Sequence, residues 1–278
     1  MSGLQRQGVT EADILGRSDR FMEVADRFAM LASGSSGLQG EWPKLSMTQA
    51  KNGLFYPDSI VTDDEALRHV IVKLVRGPEA VDRTILEGEA IYSRIALELG
   101  LKVKEPSIYA DGVLIIPRFD RSLSANGETI RLGQESLVSA LGVAEFGHIG
   151  THEAYIELLK RHSDDPIADI AEYLKRDDFA PMRLAKEGVV RSTRWASMRD
   201  GGLDHSLDWK RICAEVCPDR DVQTKLMSEL QAFAQRLRLV PSHAKRLGAP
   251  DVIIERAMMR CSEIADGVED AFSKPEGA

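Results

Sequence analysis

Short apolar runs closed by glycine or proline mark the first half of the chain, and stripes with a helical period mark the second. The clearest run is Arg68-His69-Val70-Ile71-Val72-Lys73-Leu74-Val75, which Gly77-Pro78 ends. Its β-branched and aliphatic content predicts a buried strand. A helix is predicted over 81–99, ended by Gly100, with Ile85, Tyr92, Ala96 and Leu99 as its apolar stripe. Upstream, Thr10-Glu11-Ala12-Asp13 has the pattern of a capping box, and Phe21, Val24, Phe28 and Leu31 continue that helix. The stretch from Trp42 to Thr48 reads as a strand, and Lys51-Asn52-Gly53 reads as a hairpin turn before Leu54-Phe55-Tyr56. A second tight hairpin is predicted at Ala110-Asp111-Gly112, between strands over 106–109 and 113–116. From Gln134 onward the pattern is helical, with segments over 135–141, 151–160, 166–176, 211–216, 222–239 and 251–265. The expected fold class is therefore α+β, with a small mixed lobe over 1–121 and a mostly helical lobe over 122–278.

Two charged residues stand out against this pattern. Lys73 lies inside an apolar strand, where an ammonium is costly without an anionic partner. Glu89 falls on the apolar face of the following helix, four residues after Ile85 and three before Tyr92. Together they predict a Lys73–Glu89 ion pair, an arrangement that kinases use to hold a lysine against nucleotide phosphates. A glycine-rich stretch over 32–40 reads either as a flexible linker or as a phosphate-cradling turn. Its junction with a strand and hairpin favours the turn.

Composition narrows the classes. Lys+Arg 36 against Asp+Glu 44 gives a net charge of −8, so no global charge draws the chain to nucleic acid. Three cysteines argue against a disulfide framework, and Cys213 and Cys217, one helical turn apart, read as buried thiols. No apolar stretch reaches ~18 residues, and no signal-peptide pattern opens the chain, so a soluble cytoplasmic protein away from membranes is expected. Trp195 and Trp209 read as core anchors, Asp164-Asp165 as helix-capping charge, and Asp204-His205 as a surface turn. His148 and His152 are separated by Gly150 and are not expected to bind metal.

The order of these motifs resembles the HipA family of bacterial serine/threonine kinases, in its shorter branch. The resemblance rests on the stretch from Ser33 to Lys44, on Val70 to Val75, on Glu87-Gly88-Glu89 with Ile95-Ala96, and on Leu114 to Arg121, which ends Arg-Phe-Asp-Arg. Arg131-Leu132-Gly133-Gln134-Glu135, Asp178-Phe179-Ala180-Pro181-Met182, Arg191 to Trp195 and the C-terminal helices extend it over nearly the whole chain. It implies a two-lobed protein-kinase-like fold that binds ATP and Mg²⁺ and acts as the toxin of a toxin–antitoxin system, with a helix-turn-helix antitoxin as partner and a protein as substrate. It also implies that Lys73 contacts the phosphates and Glu89 orients it, while Ser35, Ser36 and Gly37 cover them. Ser35 and Ser36 would be autophosphorylation sites, Pro117 C=O and Phe119 N–H would bond adenine at the hinge, and Asp178 would bind Mg²⁺. The family's Asn-x-Asp-x-His-x-x-x-Asn catalytic loop and the hairpin after it have no counterpart, because Lys175-Arg176 runs straight into Asp177-Asp178. The resemblance therefore implies impaired phosphotransfer, with a catalytically dead nucleotide- or antitoxin-binding protein, or a degraded remnant, as the alternatives. Loss of that hairpin is expected to leave Tyr173 and Leu174 poorly covered.

Overall fold

Thr10 caps the first helix, α1 (Glu11–Leu15), through the reciprocal bonds its sequence predicts. Its hydroxyl oxygen accepts the Asp13 N–H at 3.0 Å, and Asp13 Oδ2 accepts the Thr10 N–H at 2.9 Å. The computed structural model describes residues 7–32, 42–145, 148, 150–178, 209–217, 219–258 and 260–273. The expected single N-terminal helix is two. Gly16 ends α1, Arg17 takes a φ of 51°, and α2 (Asp19–Ala32) starts afresh. Ser18 supplies the second start by accepting the Phe21 N–H at 3.3 Å, a local signal that the apolar spacing alone conceals.

The chain divides into two units, Met1–Leu97 with Val103–Gln134 and Glu98–Lys102 with Glu135–Ala278. The first unit is built on a five-stranded antiparallel sheet of β1 (Lys44–Ala50), β2 (Phe55–Pro57), β3 (Ala66–Leu74), β4 (Ile108–Ala110) and β5 (Val113–Pro117). The strand order is β2-β1-β3-β5-β4, and helix α3 (Ala80–Glu98) follows β3. Alternation along the pleat sorts the side chains onto two faces. Leu45, Met47, Val70, Val72, Val113 and Ile115 pack with Val9, Ile14, Phe21, Val24 and Ala25 into the main core. The other face carries Lys44, Lys73 and Leu114 in one cross-strand row, and Ser46, Ile71 and Ile116 in the next. Leu86 and Ala90 of α3 cluster with Leu114 on that face.

The buried face of α3 is not the predicted one. Leu86, Ala90, Ile91 and Ile95 are buried, whereas Ile85, Tyr92 and Ala96 of the predicted stripe are half-buried; of that stripe only Leu99, just past the end of α3, is buried. Apolar residues occupy two adjoining stripes of this helix, and contact with the sheet through Leu114 selects one of them. The turn between β4 and β5 follows its sequence closely. Asp111 and Gly112 have φ of 43° and 78°, and a Cβ on Gly112 would meet Val75 Cγ1 at 2.3 Å, so glycine is required there twice over. An unexpected hairpin, β6 (Arg121–Leu123) with β7 (Thr129–Arg131), completes the first unit.

The second unit is helical: α4 (Leu137–Ala140), α5 (His152–His162), α6 (Pro166–Asp178), α7 (Trp209–Val216), α8 (Arg220–Leu237), α9 (Val240–Arg246), α10 (Asp251–Ile253) and α11 (Arg260–Ser273). A π-helical turn, Ile254–Met258, separates α10 from α11, where one helix over 251–265 is expected. Helix α5 packs on α6, α6 on α8, and α8 on α7 and α11. Ile170, Ala171 and Leu174 are buried on α6, while Ile167 at its start is 39% exposed. Leu174 is 2% exposed, so the expected poor cover is incorrect for it, while Tyr173 is half-buried and bonds His152. Trp209 lies in the core, as its sequence context suggests. No described helix is long and apolar enough to cross a membrane.

Candidate functional site

The site begins where β3 runs out toward Gly77. Lys73 Nζ lies 2.9 Å from Glu89 Oε1 and 2.6 Å from Glu89 Oε2, so both oxygens of the carboxylate accept from one ammonium. The expected ion pair is therefore present, and its cause is geometric. Glu89 stands three residues after Leu86 and next to Ala90, at the margin of the face that α3 lays on the sheet. The side chains are 18% and 36% exposed, which leaves the pair half-buried rather than sealed in the core. Lys44 is the direct cross-strand neighbour of Lys73, so two cationic residues share one row of this face. An anionic group laid along that row would meet both.

A second feature lies where β5 leaves the sheet. Arg118 N–H donates to His69 C=O at 2.9 Å, which makes Val70 and Pro117 a non-hydrogen-bonded pair and turns Pro117 C=O away from β3. The β4 ladder reaches only to Ile115, opposite Ile108, so it stops short of Pro117. Phe119 is 67% exposed, and its N–H makes no hydrogen bond among the described residues. Around it the turn is tied down by charge. Arg118 donates to Asp120 through Nε at 2.9 Å and Nη2 at 2.6 Å, and Arg121 Nη1 donates to Asp120 Oδ2 at 2.6 Å. The hydrogen bond from Arg118 holds the Asp120 carboxyl below the ordinary carboxylate range, and the same bond raises Arg118. Lys104 Nζ donates to Arg118 C=O at 3.1 Å and also to Arg121 C=O.

Next to this turn is a buried polar cluster that no sequence motif announces. Thr48 and His69 are cross-strand neighbours, and His69 Nδ1 lies 2.9 Å from both Thr48 Oγ1 and Asp58 Oδ1. The Thr48 hydroxyl also donates to Asp58. The hydrogen bond from His69 does most to push the Asp58 carboxyl down to about 2, against the opposing effect of burial. His69 Nε2 is buried without a hydrogen-bond partner among the described residues.

The remaining candidates separate cleanly. Ser35, Ser36 and Gly37 lie outside the described residues, as do Trp195, Asp204 and His205. Asp178 is the last residue of α6 by its backbone, and its side chain is outside the description. Among the described residues no group of three or more His, Cys, Asp or Glu is placed to hold a metal ion. His152 is spent on Tyr173, whose hydroxyl lies 2.7 Å from its Nδ1, and His148 lies 3.8 Å from Glu145. Cys213 is buried and Cys217 half-buried, and desolvation pushes the Cys213 thiol up to about 12.

Comparison with protein families adds the decisive observation. The family model described as the HipA-like C-terminal domain matches residues 36–182, more than half of the chain. The chain belongs to the HipA-like family. The matched HipA-like span contains Ser36, Lys73, Glu89, Pro117, Phe119 and Asp178, and with them both features of the first unit. No curated protein matches the chain.

Proposed function

We propose that this HipA-like protein has the kinase division into a small mixed lobe and a larger helical lobe, binds Mg·ATP, and transfers phosphate very slowly or not at all. One observation carries the reading. A strand lysine is held by both oxygens of a helix glutamate, with Nζ 2.6 Å from Glu89 Oε2, on a half-exposed part of the sheet. Such a pair fixes an ammonium where nucleotide α- and β-phosphates lie. The Ser46, Ile71 and Ile116 row beside it is half-buried and offers a partly apolar shelf for a base, whose edge would bond Pro117 C=O and Phe119 N–H just beyond Ile116. Ser35, Ser36 and Gly37 would cover the phosphates.

Mg²⁺ would neutralise the phosphate oxygens, with Asp178 as its protein ligand, since this ion usually takes one or two carboxylates together with phosphates. The weak point is chemistry rather than binding. The chain passes from Lys175-Arg176 to Asp177-Asp178 with nothing between, and α6 continues through all four. An aspartate to accept the substrate hydroxyl proton and an asparagine for the second metal are then lacking, and a positioned base alone is worth ~10²–10⁴-fold. In this reading the protein keeps the family's toxin–antitoxin setting and pairs with a small helix-turn-helix antitoxin, through binding rather than turnover.

The test uses the whole chain with Mg²⁺ and radiolabelled ATP. Calorimetry should detect ATP binding that Lys73→Ala weakens and Asp178→Asn makes less dependent on metal, while Ser35 and Ser36 remain unlabelled. Absence of ATP binding refutes the nucleotide reading. Labelling of Ser35 or Ser36 that Lys73→Ala abolishes refutes the proposed loss of phosphotransfer.

A further inference from the structure

The turn after β5 is held far more firmly than a connecting turn on a surface needs to be. Such connections normally satisfy themselves with water and tolerate motion. Here one nearly buried carboxylate, Asp120 at 7% exposure, accepts from two arginines of its own turn. An exposed lysine, Lys104, reaches in from the segment before β4 and donates to two carbonyls, of Arg118 and Arg121. Asp120 C=O further accepts the Leu132 N–H at 2.9 Å, and Arg118 N–H is fixed on β3. Two backbone groups of this segment make no hydrogen bond among the described residues. Pro117 C=O points away from β3 past the end of the β4 ladder, and Phe119 N–H is unbonded among the described residues.

An acceptor at the end of β5 and a donor two residues on, in the turn that follows, match a planar heterocycle that offers one amine hydrogen beside one ring nitrogen. Two such bonds reward a ligand only if the protein has already given up the freedom of the groups that make them. Mobile groups would lose most of that gain on binding. We infer that Lys104 and Asp120 are positioning residues for nucleobase recognition, locking the Arg118–Arg121 turn so that Pro117 C=O and Phe119 N–H meet the base edge together. This inference rests on the nucleotide reading above, but it assigns to two side chains that reach neither base nor phosphate the control of affinity at one end of the ligand only.

That one-ended effect provides the test. Calorimetry on the full chain with Mg²⁺ compares ATP, adenosine and inorganic triphosphate for wild type, Lys104→Ala, Lys104→Arg and Asp120→Asn. Lys104→Ala and Asp120→Asn should weaken ATP and adenosine by about tenfold, and leave triphosphate within about twofold. Lys104→Arg should restore most of the loss, because it keeps a cation on the two carbonyls. Lys104 is exposed, so its variants keep the question open to test even where Asp120→Asn perturbs folding. Parallel weakening of all three ligands, or no weakening of adenosine, overturns the inference while wild-type ATP binding leaves the nucleotide reading standing. Wild-type protein that binds neither ATP nor adenosine overturns both.

Discussion

Asp58→Asn tests the buried polar cluster of the first unit most directly. The carboxyl is held at about 2 against an ordinary 3.8, chiefly by the hydrogen bond from His69 and despite burial. Each tenfold change in proton affinity is worth about 1.4 kcal/mol, so the ionised side chain adds about 2 kcal/mol of stability once its one-third exposure is discounted. The sign follows from the lowered folded-state value. The contribution is fully present above the unfolded carboxyl's 3.8 and fades as pH falls toward 2. Asparagine keeps an acceptor for His69 Nδ1–H but has no charge to lose. Urea unfolding, followed through the amide NMR signals of Val70 and Val72 so that only the first unit is read, should show the variant weaker by about 2 kcal/mol at pH 7. By pH 3 about half of that difference should have vanished. A difference that stays constant from pH 7 to pH 3 would refute the claim that the carboxylate charge, rather than the shape of the side chain, holds this cluster.

Three further outcomes follow from packing and exposure. Gly112→Ala should destabilise the first unit by about 2 kcal/mol or more in the same unfolding measurement, because a positive φ of 78° and a 2.3 Å approach to Val75 act together. Gly53→Ala, with φ of 84° and nothing within 4 Å, should cost only about 1 kcal/mol, and equal costs would show that the Val75 clash is relieved elsewhere. Lys73→Ala should cost only about 1 kcal/mol of stability, since both partners are partly solvated, and a loss above about 3 kcal/mol would mean that the pair is effectively sealed. Iodoacetamide at pH 8, read by mass spectrometry, should modify Cys217 well before Cys213 or Cys261, whose thiols burial raises to about 12 and about 11.

What the sequence determined by itself was whatever adjacent residues decide between themselves. The capping box at Thr10, the Asp111-Gly112 turn and the β-branched run through Val70 are contained within a few positions, and each forms where its residues place it. The Lys73–Glu89 pair was legible for a related reason: a strand followed directly by a helix leaves few ways to shelter a lysine, and one carboxylate stood on the right side. Ser18 shows the limit, since one hydroxyl restarted a helix that the apolar spacing ran straight through. Only the tertiary structure decided which stripe of α3 went inside, because Leu86 and Ile85 are equally apolar and the choice came from Leu114 on another strand. The same holds for the features around the proposed base edge. Thr48, Asp58 and His69 meet through strand register and a turn, and Lys104 reaches carbonyls 14 and 17 residues away. Such groupings leave no periodic trace, because hydrogen bonds between distant segments depend on how the chain closes rather than on which residues are neighbours along it.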